Sequence, residues 1–508
     1  MFEAAEVGQS ISKEAYKTAE PVLHSRLLHL QQSLRNTSKT LIVIVSGVEG
    51  SGKGEVVDCL NRWFDTRDVR THAFWDESDE ERERPRFWRF WRSLPNRGSV
   101  SVMFGSWYTK PIVDRAFNAI SSHDFDHELQ LIEEMERTLV RDGAIIVKLW
   151  FHLSRKEQQK RLKQDADIAK FKKSPLLKQY SKSYDKFKAV SERAISLTDS
   201  GTSPWHIIEA TDTRYRNIST GEVLVSTLEQ ELAAKPKTAR MKKAQRQEED
   251  LLASTLAKTK EDDKVTVLDK VDLSRTLKDK QYEDKINKVQ TRLHQLAWAM
   301  HRQKKNAVLV FEGWDAGGKG SAIRRVTASM DARLYTVIPI AAPTDEERAH
   351  HYLWRFWRHI PRSGYMTIYD RSWYGRVLVE RVEGFADRIE WLRSYQEINN
   401  FEEHLVSHGT AIMKFWVHIS PEEQLRRFQE REKDERKQHK ITEEDWRNRQ
   451  KWDEYKLAVN DMVAHTSTVN APWTLVSGND KKYARIQILK TVCNSLERVL
   501  DKDELLKD

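Results

Sequence analysis

The 508-residue sequence has only two cysteines, Cys59 and Cys493. That excludes a disulfide framework and fits a cytoplasmic setting. No apolar run approaches the length of a membrane span, so no membrane association is expected. Met1 to Glu20 are mixed in charge and lack an apolar h-region, so no secretory leader is expected either. His350-His351 has no partner at metal-ligand spacing, which argues against a transition-metal site. Neither RNA-binding aromatics nor a DNA-reading motif occurs, so no nucleic-acid partner is expected. Net charge is small: 86 basic against 77 acidic residues, or +9. That excess would suit a polyanionic partner, and equally a merely solvated basic surface.

What is present is a glycine-rich loop, twice. One copy is Gly47-Val48-Glu49-Gly50-Ser51-Gly52-Lys53-Gly54 and the other Gly313-Trp314-Asp315-Ala316-Gly317-Gly318-Lys319-Gly320. Each follows an apolar run that reads as a buried strand, Leu41–Val45 and Ala307–Phe311. A strand, a glycine-rich turn and a helix make a phosphate cradle. Backbone N–H groups converge, the helix start adds partial positive charge, and the lysine adds a full one. Gly313, Gly317, Gly318, Gly320 and Lys319 are therefore candidate phosphate-binding residues.

The two copies are offset by 266 residues, and the offset recurs along the chain. It pairs Trp88-Arg89-Phe90-Trp91-Arg92 with Trp354-Arg355-Phe356-Trp357-Arg358, Ser106-Trp107-Tyr108 with Ser372-Trp373-Tyr374, Lys148 with Lys414 and Arg161 with Arg427. It then drifts to 268, pairing Pro204-Trp205 with Pro472-Trp473. The expected organisation is two tandem domains, residues 1–230 and 276–508, joined by a charged linker over 231–275. The differences are as informative. Asp315 becomes Glu49, Asp370 becomes Phe104, Arg371 becomes Gly105 and Arg431 becomes Asp165; Arg449 and Lys451 face Ser181 and Ser183. Packing residues persist while charges vanish, as expected when one copy keeps the fold and drops the chemistry.

In the second half, apolar segments Ala307–Phe311, Leu334–Ile338, Met366–Tyr369, Ala411–His418 and Thr474–Val476 alternate with helical patterns. The spacing of Ile286, Val289, Leu293, Leu296 and Met300 predicts an amphipathic helix before them. Such alternation implies an α/β fold: in each domain a parallel sheet between helices, P-loop-kinase-like, with a helical lid.

The loop differs from ordinary ATPase loops. There the lysine precedes Ser or Thr, whose hydroxyl holds Mg²⁺; here Gly320 follows Lys319. A carboxylate among phosphate-binding amides would repel phosphate unless a cation intervened. Asp315 is thus a candidate Mg²⁺ partner that also orients or deprotonates an acceptor; a turn former is the plainer alternative. Asp370 ends an apolar strand where a metal-binding carboxylate is expected, and Arg371 follows where it could neutralise a transferring phosphoryl group. A surface ion pair is the plainer reading of Asp370. Trp354, Trp357, Trp373, Trp416 and Trp452 read as core rather than as ligand platforms. Gln424 to Lys456 is strongly basic, with Arg427, Arg431, Lys437, Lys440, Arg449 and Lys451 among its charges. After a phosphate loop it reads as a lid over a polyanion, excluding water, with Arg427 and Arg431 gripping donor phosphates.

Several stretches together resemble the second polyphosphate kinase family. They are Glu312 to Gly320, Ala342-Pro343-Thr344-Asp345-Glu346-Glu347, Tyr369-Asp370-Arg371-Ser372-Trp373-Tyr374, Val379-Glu380-Arg381-Val382, Lys414 to Ser420, Ala471-Pro472-Trp473 and Asp480 to Arg485. The resemblance spans about 275 to 500, and residues 10 to 230 match with the losses above. It implies phosphoryl transfer between inorganic polyphosphate and nucleotides. For two-domain members it implies AMP as the acceptor, giving ADP reversibly, with Asp315 and Asp370 working with Mg²⁺. Gly375 stands where the family usually has Asn, and Ile441-Thr442-Glu443 where Ser-Pro is common. Alternatives are a polyphosphate-dependent nucleoside diphosphate kinase, an ATP-dependent nucleotide kinase and a non-enzymatic polyphosphate binder. A homo-oligomer is compatible with all of them.

Overall fold

The computed structural model describes residues 1–168, 183–233, 266–436 and 438–501, without side chains for 164–168 and 440. Lys437 therefore lies outside the described residues, as do most of the expected linker, Ser181 and the side chains of Asp165 and Lys440. The chain forms two compact units. One comprises Met1–Glu77, Arg89–Lys237 and Asp345–His351; the other comprises Ser78–Trp88, Thr238–Thr344 and Tyr352–Asp508. Residues 231–233, expected as linker, continue the helix Thr213–Ala233, in which Leu228 is buried.

Each unit is built on a five-stranded parallel sheet. In the first, β1 (Thr40–Gly47), β2 (Val69–Ala73), β3 (Val100–Phe104), β4 (Ala144–His152) and β5 (Trp205–Glu209) lie in the order β2-β3-β1-β4-β5. In the second, β6 (Asn306–Gly313), β7 (Tyr335–Pro339), β8 (Met366–Asp370), β9 (Thr410–His418) and β10 (Trp473–Ser477) lie in the equivalent order, β7-β8-β6-β9-β10. The central strands are covered on both faces by helices, so they read as near-continuous apolar runs. Val308, Leu309, Val310 and Phe311 are all fully buried.

The amphipathic helix of the second unit is Asp279–Arg302, and Ile286, Val289, Leu293, Leu296 and Met300 form its buried face. The expected lid segment is helical over Pro421–Lys433, Glu443–Gln450 and Trp452–Thr466.

Both units carry the same buried polar network. Lys414 donates to Glu402 Oε2 at 2.7 Å, to Tyr374 Oη at 2.8 Å and to the Thr466 carbonyl at 2.7 Å. Lys148 does the same with Glu136, Tyr108 and Thr198. A buried charge is tolerated when paired and hydrogen-bonded like this. Its survival in both copies marks it as part of the fold.

Candidate functional site

The phosphate loop of the second unit starts where β6 ends at Gly313. Gly313 has φ 149°, and a Cβ there would lie 2.6 Å from the Val417 carbonyl. No side chain fits so close to β9. The loop closes into the helix Lys319–Thr327 through Gly318 at φ 114°. Lys319 leans back on the loop, its Nζ donating to the carbonyls of Gly313 at 2.6 Å and Trp314 at 3.2 Å.

Asp315 sits inside this loop with its side chain 15% exposed. Its Oδ1 accepts from Arg371 Nη2 at 3.2 Å and its Oδ2 from Asn448 Nδ2 at 2.9 Å. The loop and the end of β8 thus meet, because Phe311 is in register with Asp370 on adjacent parallel strands. Arg371 follows Asp370 in a left-handed backbone conformation, φ 65°. Such a conformation costs a non-glycine residue roughly 1–2 kcal/mol and is concentrated at functional sites. Glu444, from the helix Glu443–Gln450, lies 4.0 Å from Arg371.

Three of the basic residues expected to face polyphosphate, Arg427, Arg449 and Lys451, have other partners. The guanidinium of Arg427 is buried and donates to the carbonyls of Ala316 (2.9 Å), Gly317 (2.7 Å), Gly478 (2.6 Å) and Asn479 (2.9 Å), and to Glu423. It braces the loop from behind and has no donor left for polyphosphate, which corrects the expectation that it grips the chain. Arg161 makes the corresponding contacts in the first unit, to the carbonyls of Gly50, Ala210 and Thr211. Lys451, expected on the lid, pairs with Glu383 at 3.2 Å. Arg449 donates to the Pro421 carbonyl at 2.8 Å and to Gln424 Oε1 at 3.0 Å, while Gln424 donates to the Asp315 carbonyl. Arg431 lies in the last turn of Pro421–Lys433.

Sequence reasoning passed over several neighbours. Glu312, opposite Ser46 in the first unit, is buried and accepts from Ser372 Oγ at 2.9 Å. Burial pushes its carboxyl up to about 7, against the pull of Lys319. Trp314 stacks on Trp452, ring centroids 3.6 Å apart and planes 9° apart, and donates from Nε1 to His418 Nδ1 at 3.0 Å. Trp452 is thus a partner of the loop, whereas Trp354, Trp357, Trp373 and Trp416 are core residues as expected. Asn448 carries no charge to betray it in sequence.

The first unit keeps the loop but not the residues that surround Asp315. Lys53 donates to the carbonyls of Gly47 and Val48 and pairs with Glu49 at 3.2 Å. Arg216, fully buried, donates to the Ser51 carbonyl at 3.1 Å and to Glu55 at 2.7 Å. At the end of β3 stand Phe104 and Gly105. An apolar ring cannot bind a cation, and no guanidinium follows it.

The profile of the polyphosphate kinase 2 family matches residues 10–236 and again 276–504. The chain belongs to the polyphosphate kinase 2 family. Among its relatives is the polyphosphate:AMP phosphotransferase of Pseudomonas aeruginosa, 45% identical over 99% of this chain and 100% of the relative. The polyphosphate:AMP phosphotransferase of Acinetobacter johnsonii is 37% identical, covering 95% of this chain and 98% of the relative. A solved structure of a polyphosphate kinase 2 from Pseudomonas aeruginosa PA01 superposes with a TM-score of 0.86 at 43% identity, over 98% of this chain and 99% of that one. The GDP-polyphosphate phosphotransferase of Mycobacterium tuberculosis matches a single half: 34% identical, over 44% of this chain and 76% of the relative. Among the described residues no helix is long and apolar enough to cross a membrane.

Proposed function

We propose that this polyphosphate kinase 2 moves the terminal phosphoryl group of inorganic polyphosphate to the phosphate of AMP, forming ADP, in its second unit. The observation that carries the reading is Asp315, a carboxylate inside a phosphate loop held between Arg371 and Asn448. The two-unit relatives, matched end to end, bear the name of that reaction. An oxygen of the AMP phosphate attacks the terminal phosphorus in line. The bond from that phosphorus to the bridging oxygen breaks, and the shortened polyphosphate leaves with its electron pair. Both reactants are anionic, so the barrier is largely charge repulsion. Lys319 and Arg371 offset it on the migrating group, and Asp315 orients the acceptor. The same residues serve the reverse direction.

Asp315 and Asp370 suit Mg²⁺, a hard cation that takes one or two carboxylates and fills its other positions with phosphate oxygens and water. When bound, the ion neutralises phosphate charge. An ATP-type loop would place a hydroxyl directly after the lysine; Gly320 stands there, and Ser321 Oγ accepts from Arg485 at 3.4 Å. Cys59 and Cys493 are both buried and free, with burial pushing each thiol up to about 11, in keeping with a cytoplasmic protein.

The test is ADP formation from AMP and polyphosphate with Mg²⁺ and no ATP, run beside ADP and GDP as acceptors. Faster turnover of a diphosphate than of AMP would replace AMP as the acceptor. Polyphosphate binding with no nucleotide turnover would leave only a binder.

A further inference from the structure

The helix Glu443–Gln450 reaches the phosphate loop through Asn448 and the Asp370-Arg371 corner through Glu444. Both contacts are to groups that must engage phosphate if the second unit transfers it. Neither can hold the helix in place while those groups work. Other attachments avoid the reacting groups: Arg449 on the Pro421 carbonyl and Gln424, Trp446 packed on Phe428, and a cluster of charges at Glu383. Glu383 Oε2 forms ion pairs with Arg447 Nε and Lys451 Nζ, each at 3.2 Å. The Glu383 side chain is only 6% exposed, and Lys451 also reaches the Val382 carbonyl at 3.4 Å. Arg447 and Lys451 flank Asn448, so Glu383 grips the helix one residue before and three residues after the amide that touches Asp315.

Glu383 is itself fixed. It caps the short helix Val379–Val382, its N–H donating to the Val379 carbonyl at 2.9 Å. Two residues earlier, Arg381 donates to Asp461 at 2.8 Å and to Tyr395 Oη at 2.9 Å. A carboxylate seated on such a support keeps its geometry when the lid lets go of substrate.

The first unit supplies a control within the same chain. Phe117 stands where Glu383 does, and Ser183 where Lys451 does. The carboxylate and its ammonium partner are missing together, along with Asp370 and Arg371. The buried Lys148–Glu136 pair, which serves the fold, is retained. An ion pair that is missing together with Asp370 and Arg371, while the buried Lys–Glu pair is kept, points to the chemistry rather than to the core.

We propose that Glu383 is a positioning residue: it docks the lid helix Glu443–Gln450 over the phosphate loop, so that Asn448 and Glu444 meet Asp315 and Arg371. The role in turnover rests on the reading under Proposed function; the docking itself does not. Held this way, Asn448 and Glu444 stay positioned over the phosphate loop between turnovers.

The experiment compares Glu383→Gln, which keeps shape and removes charge, with Glu383→Asp. Two readouts are taken on the ligand-free protein: amide hydrogen exchange over 443–450 and the exciton signal of the stacked Trp314 and Trp452. Kinetics with AMP and polyphosphate form the third. Glu383→Gln should speed exchange in the lid helix and lower kcat/KM for polyphosphate, each by about tenfold, with the AMP KM and the melting temperature little changed. Glu383→Asp should restore part of both. Arg447→Gln with Lys451→Met, which attacks the pairing from the lid side, should give the same loss, and combining it with Glu383→Gln should add little. Unchanged exchange in Glu383→Gln overturns the proposal. So does a kinetic loss that only tracks a falling melting temperature. If the parent protein forms no ADP, the transferase reading falls, and exchange alone still decides whether Glu383 holds the helix.

Discussion

Glu49 and Lys53 form an ion pair at 3.2 Å inside the first phosphate loop, whereas Asp315, at the position of Glu49, turns to Arg371 instead. The longer side chain lets the first loop neutralise its own lysine. Arg216 completes the closure: a Cβ on Gly52 would lie 1.8 Å from its Nη1. The residue opposite Arg216 in the second unit is Ala484. In the first loop Lys53 is paired with Glu49, and Arg216 with Glu55. Lys53→Ala should therefore leave kcat nearly unchanged, while Lys319→Ala should abolish turnover. Comparable losses in the two variants would show that the first unit takes part.

The two carboxylates invite a direct test. Asp315→Asn and Asp370→Asn preserve shape and remove the charge that would meet Mg²⁺. Each should reduce kcat more than tenfold, which is roughly 1.4 kcal/mol of transition-state stabilisation, with circular dichroism unchanged. Retention of more than about a tenth of the parental rate in both would remove them from the metal and acceptor roles.

Arg427 and Arg431 should now separate. Arg427→Ala strands four backbone carbonyls and Glu423 in a buried setting. Each unsatisfied group can cost about 1–3 kcal/mol, so the variant should be several kcal/mol less stable by denaturant titration. Arg431→Ala should raise the polyphosphate KM, the more so at low salt. A stable Arg427→Ala with only a raised polyphosphate KM would return Arg427 to the donor site.

The contrast between these arginines shows what could be read from sequence. Buried parallel strands leave apolar runs, so β6 to β10 lie within a residue or two of their expected positions. The loop was legible because its glycines answer to a backbone geometry nothing else fits. Arg427 was misread because a charged run looks alike whether its members face solvent or backbone carbonyls. Its retention as Arg161 in the other copy is the available signal: a residue kept where Asp370 and Arg371 are not belongs with the fold. Asn448 and Trp452 left no such signal. Their partners, Asp315 and Trp314, lie more than a hundred residues away in the chain.

His418 gives the phosphate loop an acid limit. Burial pushes its imidazole down to about 4, and its neutral form accepts from Trp314 Nε1 at Nδ1. The unfolded chain binds a proton from about pH 6.5 downward, while the folded state resists until about 4. Stability therefore falls as pH drops across that window, by up to about 3 kcal/mol from this group. Below it no further loss is expected from His418. His418→Asn keeps an acceptor without the titration and should flatten this part of the stability profile. An unaltered profile would assign the acid loss to other groups.

Arg371 holds the sharpest opposition between stability and chemistry. Its φ is 65°, and its counterpart Gly105 has φ 77°, so the two units share one backbone bend and differ in what occupies it. At Gly105 the bend is free of strain, and a Cβ would stand 2.6 Å from the Phe74 carbonyl. At Arg371 the strain of roughly 1–2 kcal/mol goes with a guanidinium that reaches Asp315; on the function proposed, it also meets the migrating phosphoryl group. Arg371→Gly removes the strain and the function together. Its melting temperature should match or exceed that of the parent, while turnover should fall by about a thousandfold. Arg371→Ala removes the guanidinium and keeps the Cβ, so it should be as inactive as Arg371→Gly but less stable. The difference between the two variants measures the strain alone. If Arg371→Ala proved the more stable of the pair, the bend would carry no strain and its persistence would need another cause. If either kept more than a tenth of the parental rate, the guanidinium would have no part in charge neutralisation.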